Sequence, residues 1–343
     1  MRVMKGLATG VGSLPYTDAA SALDLIFKYV PGVPFWPQLP KRDFREGMVA
    51  QFSENLPCLR IQNTDIIFDP KNREKELEAF YEKVIFEDLD YFRISDNFAL
   101  GLHKFYQRLG DSDLSRIDFI KIQVTGPFTF LASINDENGV SLLYDRIFRQ
   151  AIIKALNMKL RWQVQLFRKF DKPIIAFIDE PYLAAFGSAY APISREDVIN
   201  GLIEFAEGLS RDVLLGVHCC GNTDWSMFID TPGVGLINFD AFGFQNKFIL
   251  YSASLKSFLK RGGIICWGIV PTQEFGAGEN AQALTARLRQ SIDELVKKGL
   301  EEKLLLESLM ISPSCGLGTL EPQKAEQILR LLSEASAFIG KNL

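Results

Sequence analysis

No stretch of this sequence approaches the roughly 20 consecutive apolar residues that a helix needs to span a bilayer. Basic residues form no concentrated block, and the formal net charge is −4 over 343 residues. These absences argue against a membrane-spanning protein and against a nucleic-acid or anionic-lipid partner. The composition, which is 47% hydrophobic and 23% charged, is typical of a folded globular protein.

Cysteine is scarce and scattered. The five cysteines are Cys58, Cys219, Cys220, Cys266 and Cys315, an odd number without a Cys-x-x-Cys pair. This pattern argues against a disulfide framework and against a structural zinc finger. It predicts a reducing, cytoplasmic location, where clustered thiols more often bind metal or take part in catalysis.

About eight short apolar runs alternate, for the most part, with helical patterns. Apolar runs without polar alternation are typical of strands that are buried on both faces of a parallel sheet. The pattern therefore predicts an α/β fold, a single (β/α)8 barrel of the TIM type over residues 1–343. The polar and aromatic segment 41–117 is interpreted as an excursion between strands 2 and 3, with helices around 45–52 and 74–91 and a hairpin at 59–68 that turns at Asn63. Outside it, the pattern predicts a second strand at 33–36, a long helix over 142–170 and a helix over 194–209 with Ser194 as its N-cap. A doubly wound open sheet is the alternative.

The chain has only two histidines, and one of them follows the apolar run 213–217. His218 and Cys220 would point to the same side of an extended segment, and Cys315 follows another apolar run at 309–311. Zinc prefers imidazole and thiolate ligands, and a catalytic site leaves one position open. The alternative is that these cysteines are small buried residues and His218 is a hydrogen-bonded loop histidine.

The remaining histidine and cysteines are interpreted as structural. Cys219 would point away from its two neighbours, so we expect it to pack in the core. Cys266 lies in the middle of a strand and is also expected in the core. His103 lies on a predicted helix without a metal-binding neighbour in sequence, and Cys58 has no assigned role.

Two further polar segments also follow apolar runs. Asp179 and Glu180 form a carboxylate pair after the run 173–178, where Asp179 could bind a substrate ammonium group or act as a base. Helix capping or a surface ion pair is the alternative. Gly12 and Ser13 belong to an incomplete dinucleotide fingerprint that lacks its third glycine, so a Rossmann site is not expected. The absence of a side chain at Gly12 would still allow a small ligand to approach the backbone.

Taken together, these motifs resemble the C-terminal catalytic barrel of cobalamin-independent methionine synthase, in the same order and over nearly the whole chain. The matching segments are 9–15 (TGVGSLP), 124–127 (VTGP), 179–181 (DEP), 218–220 (HCC) and 312–317 (SPSCGL). The resemblance implies one catalytic barrel without the family's N-terminal barrel. It also implies Zn²⁺ ligands His218, Cys220 and Cys315, with Asp240 at the place of the family's glutamate ligand. Gly12, Ser13 and Asp179 match the segments that hold homocysteine.

The resemblance predicts a zinc-dependent methyltransferase that converts homocysteine to methionine, with a methylfolate or a methylcorrinoid protein as donor. The tryptophan that stacks on folate in the family is missing after Thr125-Gly126-Pro127, where Phe128 follows. The zinc-thiol half of the reaction is therefore better matched than the folate half. The alternatives are a corrinoid-linked methyltransferase for another thiol, such as a coenzyme thiol, and a non-catalytic zinc- or amino-acid-binding barrel. A metal-free decarboxylase of the same superfamily is disfavoured by the three candidate ligands.

Overall fold

The computed structural model describes residues 4–273, 275–276 and 278–343. In this part of the chain the strands are β1 Leu7–Ala8, β2 Leu59–Gln62, β3 Asp65–Phe68, β4 Ile120–Thr125, β5 Ile174–Asp179, β6 Val213–Cys219, β7 Val234–Phe239, β8 Ile264–Val270 and β9 Leu309–Pro313. The α-helices are α1 Ala19–Tyr29, α2 Arg73–Ile85, α3 Leu100–Gly110, α4 Pro127–Ala132, α5 Arg146–Phe167, α6 Arg195–Ala206, α7 Trp225–Asp230, α8 Ala241–Phe248, α9 Ser252–Lys260, α10 Ala281–Lys297, α11 Glu302–Glu307 and α12 Pro322–Asn342.

Seven of these strands form one parallel sheet in the order β1-β9-β8-β7-β6-β5-β4. Neighbours in the sheet follow the order of the chain, and the first strand pairs with the last, with Leu7 opposite Met310. A doubly wound sheet would reverse its strand order partway across, so that alternative is wrong. The α/β class is confirmed, and the curled parallel sheet is consistent with a TIM-type barrel.

The strands are buried on both faces because each face packs into a separate core. Their outward side chains join the helices in one large cluster. Inward side chains, including Phe177, Leu236, Cys266 and Met310, form a smaller apolar cluster enclosed by the sheet. This double burial explains the absence of polar alternation in runs such as 174–178. The expectation that Cys266 lies in the core is confirmed.

The sequence predicts a second strand at residues 33–36, but the segment 33–38 is not a regular strand. It makes two isolated parallel bridges, Ser13 with Gln38 and Phe35 with Lys121. These bridges connect it to the loop after β1 on one side and to β4 on the other. Pro34 and Pro37 lack the N–H groups that a continuous hydrogen-bond ladder requires, so the pairing is interrupted.

Residues 41–117, all of which are described, contribute no strand to the seven-stranded sheet. They contain the predicted hairpin, in which Leu59 pairs with Phe68 and Gln62 with Asp65. Asn63 forms its turn with φ of 56°, a left-handed conformation that asparagine tolerates. The predicted helix at 45–52 is wrong, because only two short 3₁₀ turns are formed there.

Polar caps fix where several helices begin after the strand ends. Ser194 Oγ accepts a hydrogen bond from the Asp197 N–H at 3.0 Å, as the sequence predicted. Asp145 accepts one from the Phe148 N–H at 3.0 Å, so the helix predicted from residue 142 starts at Arg146 instead. Such caps each contribute about 1 kcal/mol to helix stability.

Among the described residues, no helix combines the length and the apolar character that crossing a membrane would require.

Candidate metal and substrate site

The strand ends bring together an imidazole and two thiols. His218 is near the end of β6 and Cys220 directly follows that strand, whereas Cys315 comes two residues after β9. One potential ligand atom from each of the three lies within 4.8 Å of the other two. Their expected proximity is therefore observed, across almost 100 residues of sequence.

The ring of His218 is fixed by a neighbouring amide. Its Nδ1 lies 2.6 Å from Asn238 Oδ1. The Asn238 amide nitrogen donates to the Cys266 carbonyl at 2.9 Å and to Ser312 Oγ at 2.8 Å, so its oxygen must face the histidine. Nδ1 is therefore the donor, and Nε2 is the nitrogen that remains for Cys315 or for a metal. Metal-binding histidines are typically oriented in this way.

The two thiols differ in their tendency to ionise. The hydrogen bond from Cys220 is the main influence that lowers the pKa of Cys315, and His218 acts in the same direction against burial. The same hydrogen bond is the main influence that raises the pKa of Cys220. Burial lowers the pKa of His218, but its hydrogen bond to Cys315 and the nearby Asp179 carboxylate outweigh burial and raise it.

This donor set suits zinc. Imidazole nitrogen and thiolate sulfur are preferred ligands, and three protein ligands leave a position for substrate. Cys220 and Cys315 are both partly exposed residues that follow the ends of their strands. The chemistry of the three donors therefore fits a catalytic zinc ion better than a closed structural one.

The cysteine between the ligand candidates points elsewhere. Cys219 is fully buried in the large core, and burial is the main influence that raises its pKa to about 12. Its expected packing role is confirmed. Cys58 is also buried, and His103 Nε2 lies 2.8 Å from the Ile94 carbonyl, within the 41–117 segment.

The two carboxylates at the end of β5, Asp179 and Glu180, have different surroundings. Glu180 is buried and accepts hydrogen bonds from the N–H groups of Phe128 and Thr129, at 3.0 and 2.8 Å, at the start of α4. Burial is the main influence that raises its pKa, to about 7. The capping alternative is therefore correct for Glu180.

Asp179 instead faces the candidate metal ligands. It is only 4% exposed, and its Oδ1 has no hydrogen-bond partner. Burial raises the pKa of this carboxyl, whereas the charges of Lys121 and His218 oppose the increase. A buried carboxylate oxygen without a partner costs free energy, and a substrate ammonium group would satisfy it.

Gly12 and Ser13 present backbone donors beside the Cys315 loop. The carbonyl of Gly12 accepts from the Gln38 N–H at 3.1 Å, and that of Ser13 accepts from the Leu317 N–H at 3.0 Å. Ser13 Oγ also accepts from the Gly318 N–H at 3.1 Å. No hydrogen bond from the Gly12 or Ser13 N–H is found within the described residues.

Asp240 lies at the margin of the cluster. Its Oδ1 accepts a hydrogen bond from the Gly243 N–H at 2.8 Å and so caps α8. Burial raises the pKa of the Asp240 carboxyl, and the electrostatic influences of Cys315 and His218 show that it is near the site. It is not part of the close group of three that the described residues form.

Sequence reasoning missed Asn238 and Lys121. Lys121 is fully buried on β4, with its ammonium group inside the sheet. A signal was present, since Lys121, Gln123 and Thr125 alternate with Ile122 and Val124 in the sequence. Because every second residue of a barrel strand points inward, that alternation places the polar side chains in the interior.

Comparisons with known proteins extend this description at the level of fold. Neither a protein-family model nor a curated protein matches the sequence. The putative vitamin-B12-independent methionine synthase from Listeria monocytogenes has a similar structure, with a TM-score of 0.55 and 15% identity over 94% of this chain and 86% of that one. A B12-independent methionine synthase from Shewanella sp. W3-18-1, solved with selenomethionine, gives a TM-score of 0.45 and 18% identity over 65% of this chain. This match spans 62% of the length of the Shewanella protein. The chain thus shares the fold of the putative Listeria enzyme.

Proposed function

We propose that this protein is a zinc-dependent methyltransferase that acts on a thiol, with homocysteine as substrate and methionine as product. The carrying observation is the group formed by His218, Cys220 and Cys315, whose donor atoms lie within 4.8 Å of one another. The orientation of His218 by Asn238 supports the assignment, because it leaves Nε2 for a metal.

His218, Cys220 and Cys315 would hold the zinc ion, with Asp240 as the proposed fourth ligand. When bound, zinc supplies a positive charge that lowers the pKa of a coordinating thiol from about 8.5, so that the thiol is nucleophilic at neutral pH.

The other residues orient the substrate. The free N–H groups of Gly12 and Ser13 would bind its carboxylate, and the unpartnered Asp179 oxygen would bind its ammonium group. Asp179 is the proposed catalytic residue, because it touches the substrate and directs its sulfur toward the three ligands. Such positioning can supply several kcal/mol of the barrier reduction. In the reaction the substrate sulfur loses its proton, its electron pair forms an S–CH3 bond, and the bond between the methyl group and its carrier breaks, with that bonding pair left on the carrier.

The proposed donor is a methylfolate or a methylcorrinoid protein. The aromatic residue after Thr125-Gly126-Pro127 is Phe128, which is fully buried and cannot stack on a ligand from that position. This burial favours a methylcorrinoid or another donor that does not need an aromatic platform there.

We also propose that the chain is a single catalytic domain built on an eight-position barrel. The segment 33–38 would take the second position, because its isolated bridges reach both Ser13 and Lys121. Residues 41–117 would then be the excursion between positions 2 and 3.

Zinc content and zinc-edge X-ray absorption test the proposal. The wild-type protein should bind about one zinc per chain, and homocysteine should add a sulfur neighbour to that zinc. Cys315→Ser should lose zinc, and Cys219→Ala should keep it because Cys219 points into the core. The assignment would be contradicted if the wild-type protein held no zinc after zinc loading. It would also be contradicted if adding homocysteine left the coordination shell of the zinc unchanged. Methyl transfer from methylfolate and from methylcobalamin should then be assayed separately to identify the donor.

A further inference from the structure

We infer that Lys121 is a positioning residue that builds the amino-acid end of the substrate site and so makes the site selective for thiols with an amino-acid head group. This inference rests on the proposed function. It concerns a side chain on β4, the strand next to the one that ends at Asp179.

The ammonium group of Lys121 is enclosed inside the sheet. The residue is fully buried, on the strand adjacent to the one that ends at Asp179. Its Nζ lies 4.5 Å from the ring centre of Phe177 and 5.7 Å from that of Phe35. Aromatic faces attract a cation, but a buried ammonium group without further partners is costly. A lysine that merely filled space here would be less favourable than a methionine.

Lys121 has two hydrogen-bond acceptors, and one of them belongs to the proposed substrate loop. Its Nζ donates to the Val11 carbonyl and to Gln123 Oε1 at 3.0 Å. The Gln123 amide nitrogen donates to the Trp36 carbonyl at 2.9 Å, so its oxygen is turned toward the lysine.

The bond to Val11 holds the peptide that precedes Gly12. Lys121 binds the Val11 carbonyl, Gln38 binds that of Gly12, and Leu317 binds that of Ser13. With these three carbonyls engaged, the N–H groups of Gly12 and Ser13 remain directed away from those contacts and available to a carboxylate. A Cβ atom at Gly12 would lie 3.0 Å from Gln38 Oε1 and 3.1 Å from the Gln123 amide, so the loop has little freedom to shift.

Lys121 also lies near the other half of the head-group site. It is on β4, and the last residue of that strand, Thr125, pairs with Asp179 at the end of β5. Burial lowers the pKa of Lys121 to about 7, and the nearby Asp179 charge opposes that decrease. One buried side chain therefore holds the loop for the substrate carboxylate and lies beside the strand that carries the carboxylate for the substrate ammonium group. 1-Propanethiol lacks the head group that both halves of the site would bind, which is the basis of the test.

The experiment compares two thiols on the zinc-loaded full-length protein. Homocysteine carries the amino-acid head group, and 1-propanethiol lacks it. Binding of each thiol is measured by the sulfur added at the zinc edge over a concentration series, in wild type, Lys121→Met and Lys159→Met. Lys159 is a matched control, because it is also fully buried but lies on α5 and its Nζ has no hydrogen-bond partner.

In Lys121→Met, the affinity for homocysteine should fall at least tenfold, whereas that for 1-propanethiol should change less than threefold. In Lys159→Met, the ratio of the two affinities should equal that of wild type. An unchanged ratio in Lys121→Met, or an equal loss for both thiols, would overturn the inference. If wild-type zinc binds neither thiol, the proposed function itself fails, which is a distinct result.

A second variant covers the case in which Lys121→Met does not fold. Lys121→Arg keeps the positive charge, but the larger guanidinium group cannot repeat the single bond to Val11 in the same space. The affinity ratio should therefore fall in the same direction, by a smaller factor. A wild-type ratio in a folded, zinc-loaded Lys121→Arg protein would contradict the inference. KM for homocysteine should rise more than kcat falls in either variant.

Discussion

His218 Nδ1 and Asn238 Oδ1 are 2.6 Å apart, and this contact decides which nitrogen of the histidine can bind a metal. Asn238 is itself held by the Cys266 carbonyl and by Ser312. The imidazole therefore has a fixed tautomer and a fixed direction before any metal binds. A preoriented ligand loses less conformational freedom on coordination, which favours binding.

Asn238→Ala should lower zinc affinity about 10- to 100-fold, which is the usual cost of removing such an outer partner. Competition with a chromogenic chelator measures the affinity. Asn157→Ala is the control, because Asn157 is buried and donates to the Phe205 and Glu207 carbonyls at 2.6 and 2.9 Å. It should destabilise the protein without changing zinc affinity. Equal zinc affinities in the two variants would rule out an orienting role for Asn238.

The contact between His218 and Asn238 also shows where prediction from the sequence stops. The strand-end rule and side-chain alternation were sufficient to bring His218, Cys220 and Cys315 together and to direct Cys219 into the core. They could not supply the register between β6 and β7. That register shifts between Leu215 and Gly216, where the opposing residue changes from Val234 to Leu236.

Without the shift, residue 237 rather than Asn238 would be opposite His218. Gly235 is skipped at this point, and a glycine within a strand is a weak indication of such an irregularity. Similarly, the sequence showed Pro34 and Pro37 but did not show that they interrupt strand pairing at the second position. Long-range register depends on packing between segments, so a single sequence with no structure did not define it.

Gly126→Ala should strongly destabilise the protein. A Cβ atom at Gly126 would overlap the Glu180 carboxylate, which is buried and bound to Phe128, Thr129 N–H and Thr129 Oγ1. Displacing it would leave several buried polar groups without partners, at a cost on the order of 3 kcal/mol. Urea unfolding measures the change.

Gly110→Ala is the matched control for that substitution. Gly110 is the last residue of α3. Apart from its chain neighbours and the backbone of its own helix, no heavy atom lies within 4 Å of a Cβ atom placed there. Because alanine is the better helix former, this variant should be unchanged or more stable by up to about 1 kcal/mol. A similar loss in both glycine variants would mean that the Glu180 contact is not responsible.

Lys159→Met should make the protein more stable at neutral pH. Burial lowers the pKa of Lys159 to about 8 from the ordinary 10.5. Because the folded pKa is depressed, the unfolded state binds more protons between pH 8 and 10.5, and stability rises with pH over that window. At pH 7 both states are protonated and the full penalty is present. The gap between the two pKa values corresponds to a gain on the order of 3 kcal/mol in the variant.

Unfolding in urea at pH 7 to 10 measures that gain, which should shrink as pH rises. Lys154→Met is the control on the same helix, because Lys154 pairs with Glu204 and Glu207 at 3.2 and 2.6 Å. Removing such a partly exposed pair should cost between 0 and about 1 kcal/mol. A Lys159→Met protein as stable as wild type at every pH would show that the lysine carries no buried charge.

Asp240→Asn should separate the capping function of Asp240 from its proposed function as a zinc ligand. An asparagine oxygen can still accept from the Gly243 N–H, as Asp240 Oδ1 does at 2.8 Å, so α8 should remain intact. The neutral amide is a poorer ligand than a carboxylate, so zinc affinity should fall, but less than in Cys315→Ser. Before homocysteine is added, the zinc edge of the variant should differ from that of wild type. After homocysteine is added, the two should coincide, because the substrate sulfur takes the position that Asp240 leaves. A variant that matches wild type in both states would show that Asp240 only caps the helix, and the metal would then be held by His218, Cys220 and Cys315 alone.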